Sequence, residues 1–189
     1  SSPSYDPLWA VCQELEMPVT HHAGGSGIPK LPDLPAKNLI FGMEVSFYAN
    51  RALWHMIYGG VFDRFPRLKL ILTEQGIDWV QPALAKMDDH YRRMKQGRIG
   101  ELGVPTDALG DLSPSEIFRR NIWIGSSFPG IGEATCIQAL GVDRVMWGSD
   151  YPHHEATSPF SLEAIRYAFE GWSEADLRKG LAENAAEVY

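Results

Sequence analysis

Apolar and polar positions alternate along this chain in two rhythms, one helical and one extended. Leu8, Val11, Cys12 and Leu15 recur at i, i+3, i+4 and i+7, the stripe of a helix that packs on one face. Asp6-Pro7 opens that stripe as an N-cap followed by proline at the first helical position, and Met17-Pro18 stops it. Val19-Thr20-His21-His22 then reads as a short strand, followed by the glycine-rich stretch Gly24-Gly25-Ser26-Gly27. Residues 28–40 read as irregular loop, and a helix is expected from about Val45 to Tyr58, ended by Gly59-Gly60. Lys69 to Thr73 reads as a second strand, and Val80, Leu84, Met87, Tyr91 and Met94 mark one face of a long helix. Ser113-Pro114-Ser115-Glu116 is a capping box leading into a short helix, and Asn121 to Gly125 reads as a third strand. A helix over residues 132–140 precedes a fourth strand, Val145 to Trp147. Ser158-Pro159 and Ser173-Glu174-Ala175-Asp176 are read as the caps of the last two helices.

A helix followed by four strand–helix repeats calls for a parallel sheet with right-handed crossovers. All strand C-termini of such a sheet lie along one rim, where α/β folds place ligands and catalytic groups. Three of the four strands here end in an ionisable residue: His22, Glu74 and Asp150. His153 and His154 follow Asp150 closely, whereas strand alternation turns His21 to the face opposite His22, a structural position.

The 189 residues suffice for one domain, 1–189, with a hydrophobic core. A net charge of −7 without a basic stripe argues against nucleic acid as a partner. No apolar run approaches the ~18 residues of a membrane-spanning helix. Two widely separated cysteines in helical patterns suit reduced thiols and a cytoplasmic location. No Gly-x-Ser-x-Gly elbow or Walker sequence occurs, and Gly25-Ser26-Gly27 lacks the further glycine of a dinucleotide loop. An imidazole with two carboxylates instead suits a divalent cation, zinc first, with manganese or iron accepting the same donors. Trp79, Trp123, Phe128, Trp147 and Tyr151 are aromatic residues near this rim, read chiefly as core, with the lining of an aromatic substrate pocket as the lesser alternative.

Several segments resemble the amidohydrolase-related family, the branch of the metal-dependent amidohydrolase superfamily that includes the aminocarboxymuconate-semialdehyde decarboxylase-like enzymes. They are Phe65-Pro66-Arg67-Leu68-Lys69, Glu74-Gln75-Gly76, Ser115 to Asn121, Val145 to His153 and Glu183-Asn184-Ala185-Ala186. The resemblance implies an α/β fold, a (β/α)₈ TIM barrel of which this chain supplies about the last four units. It implies a metal-dependent hydrolase or non-oxidative decarboxylase acting on a small carboxylated or aromatic substrate. His22 is similar to the fifth-strand metal ligand, and Asp150 to the eighth-strand aspartate that binds metal and handles a proton. Glu74 stands where most relatives have the sixth-strand histidine, and His153 is expected to assist catalysis. Nothing in the sequence matches the first-strand His-x-His pair. Half a barrel has two unpaired sheet edges, so the chain is expected either to be joined by a missing N-terminal half-barrel or to assemble as a homo-oligomer. The rival expectation is a catalytically incomplete half-barrel serving assembly.

Overall fold

A computed structural model describes residues 2–24, 27 and 29–189. The glycine-rich stretch that includes Gly25 and Ser26 therefore lies partly outside the described residues. The strands are β1 (Val19–His22), β2 (Leu70–Thr73), β3 (Ile122–Ser127) and β4 (Val145–Gly148). They form one parallel sheet in the order β1-β2-β3-β4, so among the described residues β1 and β4 each pair on one side only. This is the expected run of four consecutive barrel units.

Alternation along the strands separates two apolar layers. Leu70, Leu72, Ile122, Ile124 and Val145 pack beneath the helices with Phe62, Phe118, Ile57 and Leu84. Ile71, Trp123 and Met146 face the other way and are covered by Val188 from the C-terminal helix. The helices are α1 (Asp6–Glu14), α2 (Lys37–Tyr58), α3 (Val61–Arg64), α4 (Val80–Lys95), α5 (Pro114–Asn121), α6 (Ile131–Leu140), α7 (Ser161–Ala168), α8 (Glu174–Arg178) and α9 (Asn184–Val188). The capping box of α5 forms as read: Ser113 Oγ accepts from the Glu116 amide, and Glu116 Oε2 accepts from the Ser113 amide at 2.7 Å. None of the described helices is long and apolar enough to cross a membrane.

Three local expectations are corrected. Asp6 lies inside α1 and does not cap it; Tyr5 occupies the cap position, and the Asp6 carboxylate accepts from Arg64 Nε at 2.9 Å and Nη2 at 3.0 Å. A long-range charged partner outbids the local backbone for that side chain. Ser158 does not cap α7, which starts at Ser161 after Phe160. The second helix begins at Lys37, well before Val45, with Lys37 paired to Asp33 at 2.8 Å ahead of its first turn.

Two buried asparagines tie the base of the sheet. Asn121 Nδ2 donates to the carbonyls of Pro66 and Leu68 at 2.9 and 2.8 Å, while its Oδ1 accepts from Arg120 Nε at 2.7 Å. Asn184 Nδ2 donates to the carbonyls of Val142 and Val145, both at 2.7 Å, joining α9 to the start of β4. Asn121 is 1% exposed, so truncating it strands acceptors that water does not reach. Asn121→Ala is expected to lower stability by about 2–3 kcal/mol, the loss of two or three net hydrogen bonds with buried carbonyls left over. Urea denaturation followed by circular dichroism checks the value; a change below about 0.5 kcal/mol, the level of an ordinary surface substitution, would remove Asn121 from the account.

Candidate active site

The four strand ends build one cluster. Register places His22 opposite Thr73, Thr73 opposite Gly125, and Gly125 opposite Met146. These residues alternate onto the face of Ile71 and Trp123, away from the helices. Gly125 leaves room in this row: a Cβ there would stand 3.1 Å from Thr73 Oγ1. Simple alternation would send Glu74, next after Thr73, to the helix-covered face. Its backbone is left-handed instead, φ 55°, and this turns the side chain back toward His22. Phe128 and Asp150, just beyond β3 and β4, are also left-handed, at φ 36° and 62°. Such backbone costs of order 1–3 kcal/mol per residue and gathers where function dictates geometry.

The side chains meet at close range. His22 Nε2 lies 3.0 Å from Glu74 Oε2. Its Nδ1 is 2.7 Å from the Ala23 carbonyl. A carbonyl only accepts, so Nδ1 carries the proton and, in the neutral ring, the Nε2 lone pair faces the cluster. His153 Nδ1 donates to Asp150 Oδ2 at 3.0 Å and lies 3.9 Å from Glu74 Oε1. The Asp150 side chain is 9% exposed, against 53% for His22. Hydrogen bonding to Asp150, then burial, holds the Glu74 carboxyl above the usual carboxylate range; the same bond holds Asp150 below its own. The contact thus pushes the two carboxyls apart, Glu74 toward its protonated form and Asp150 toward its ionised form.

Donor atoms from Glu74, Asp150 and His153 lie within 4.8 Å of one another, a spacing a single cation can bridge. His22 adds an imidazole whose second nitrogen is already fixed by a carbonyl, the usual arrangement of a ligating histidine. This donor set fits a divalent metal, and one imidazole among carboxylates does not discriminate zinc from manganese or iron.

The remaining sequence candidates separate. His21 is on the helix-covered face, and its ring meets Gln75 rather than the cluster; burial holds its pKa below the ordinary imidazole value. Trp79, Trp123 and Trp147 pack into the apolar layers, while Tyr151 is exposed beside the rim. A cavity of about 550 Å³ borders His21, Tyr48, Arg51 and His55 on the β1 side and does not include His22. Sequence reasoning passed over Gln75. The signal available was its place directly after a strand-end carboxylate.

Comparison with known proteins shows the family and the fold. The family model described as Amidohydrolase matches residues 1–189. The decarboxylase orsB of Emericella nidulans is 29% identical over 164 residues, 78% of this chain and 44% of that protein. The crystal structure of 5-carboxyvanillate decarboxylase LigW from Sphingomonas paucimobilis superposes with a TM-score of 0.70 at 26% identity, covering 100% of this chain and 53% of that one. A dihydroxybenzoic acid decarboxylase from Polaromonas sp. JS666, solved with bound manganese and the inhibitor 2-nitroresorcinol, shares the fold with a TM-score of 0.61 at 22% identity, covering 99% of this chain and 54% of that one. The chain spans about half the length of these relatives.

Proposed function

From the premise that the chain belongs to the amidohydrolase family, we propose that it carries the metal and proton-handling rim of a non-oxidative decarboxylase acting on a small hydroxylated aromatic carboxylate. The observation that carries this reading is the run of close contacts along the rim, His22 to Glu74 at 3.0 Å, Glu74 to His153 at 3.9 Å and His153 to Asp150 at 3.0 Å. The decarboxylases named above favour loss of CO₂ over hydrolysis, which the same side chains could serve.

His22 and Asp150 would hold the divalent metal, with Glu74 beside them. When bound, such a cation would supply Lewis-acid stabilisation of negative charge on the substrate's oxygens. The chain's own residues handle the proton. Asp150, bonded to both Glu74 and His153, can receive a proton from either and deliver it to the ring carbon that bears the carboxylate. The bond from that carbon to the carboxylate then breaks. Its electron pair restores the aromatic ring, CO₂ departs, and Asp150 is left ionised until it is reprotonated. His153, more than half exposed, links Asp150 to solvent for that last transfer.

The test uses the chain in its complete encoded form, loaded in turn with zinc and manganese and supplied with dihydroxybenzoates and 5-carboxyvanillate. Release of one CO₂ for each decarboxylated phenol supports the proposal. Turnover only of amides or esters would replace it with hydrolysis. A second reading, a half-barrel that works only when another segment pairs with it, draws on the single-sided pairing of β1 and β4.

A further inference from the structure

Behind the cluster, on the opposite face of the sheet, one buried side chain joins the two strands that present His22 and Glu74. Gln75 is 3% exposed. Its Nε2 lies 2.9 Å from the His21 carbonyl oxygen and 3.0 Å from His21 Nδ1. The carbonyl accepts only, so the atom facing it must be the amide nitrogen, which fixes the orientation of the amide. Both Nε2 protons are then used on one residue, and His21 Nδ1 must be an acceptor. His21 is therefore neutral and carries its proton on Nε2. The Gln75 Oε1 has no hydrogen-bond partner among the described residues.

We propose that Gln75 is a positioning residue for the metal ligand His22 and its neighbour Glu74: it clamps the end of β1 to the end of β2 and so sets the distance between His22 and Glu74. Each partner of the clamp is the chain neighbour of a site residue, His21 of His22 and Gln75 of Glu74. The left-handed backbone at Glu74 sends successive side chains to opposite faces at this turn: Glu74 inward, Gln75 back beneath β1. Beyond the last ladder bond at the rim, Ala23 N to Thr73 O at 3.1 Å, Gln75 ties these two ends from the face opposite the His22–Glu74 contact. The inference rests on the metal-site reading for its functional consequence, but the geometry of the clamp stands without it.

The experiment is Gln75→Met in the complete chain, with two readouts. Methionine has nearly the same volume and no donor. In the metal-free protein, ¹⁵N chemical shifts of the imidazoles should show His21 as the Nε2–H form and His22 as the Nδ1–H form; in Q75M the His21 signal should change to mixed tautomers and the His22 signals should shift. In the second readout, Mn²⁺ should bind about 10–100-fold more weakly to Q75M than to wild type, the usual effect of removing an outer partner of a ligand. His21→Phe, which removes one of the two bonds, should weaken Mn²⁺ binding less than Q75M, and serves alone if Q75M does not fold. Unchanged His22 shifts, or Mn²⁺ affinity within twofold of wild type in the folded variant, would overturn the clamp. If wild type binds no Mn²⁺, the metal reading fails, and the imidazole shifts still decide the clamp.

Discussion

Asp150→Asn is expected to reduce the rate of CO₂ release by about 10³-fold, within the range that positioned proton transfer contributes. The amide keeps the size of the carboxylate but neither carries a transferable proton nor bears the negative charge that Glu74 and His153 address. Single-turnover kinetics with a dihydroxybenzoate, at saturating metal, separates this from a binding defect. A loss confined to KM would mean that Asp150 only helps hold substrate. Circular dichroism should show the fold retained, because Asp150 lies on the rim outside both apolar layers.

The largest stability effect is expected at Phe118. It sits on α5 with 1% of its surface exposed and packs into the layer between sheet and helices. Phe118→Ala should cost about 3–5 kcal/mol, the removed ring plus the cavity it leaves. Domains of this size have about 5–15 kcal/mol in total, so the variant should lose a large share of its cooperative unfolding transition. Guanidinium denaturation gives the number. A cost near 1 kcal/mol would mean that the α5 layer collapses around the vacancy and that the core is looser than the burial implies.

Much of this arrangement was legible in the sequence because two periodicities carry it. Buried strands of a parallel sheet appear as short apolar runs, and Leu70 to Leu72 and Val145 to Trp147 are of that kind. Helix stripes and the Ser113–Glu116 box marked the crossovers. From strand order alone, His22, Glu74 and Asp150 had to share a rim. What the sequence did not reveal depends on partners far apart in the chain. Asp6 looked like a cap until Arg64, 58 residues on, took its carboxylate. The start of the second helix was hidden because its exposed first turns, with Leu39, Phe41 and Met43 outward, lack an amphipathic rhythm. The inward aim of Glu74 could not come from alternation, which points the other way; it comes from a left-handed φ that nothing in a glutamate announces. Gln75 escaped for a related reason, since its role follows from that turn.

The central claim is that this rim binds one divalent cation through His22 and Asp150. A Mn²⁺ titration followed by electron paramagnetic resonance, on wild type, His22→Ala and Asp150→Asn in parallel, tests it most directly. One bound ion per chain in the wild type, with affinity lost in both variants, is the predicted result. Full-affinity binding in the variants, or no bound ion in the wild type, would contradict it.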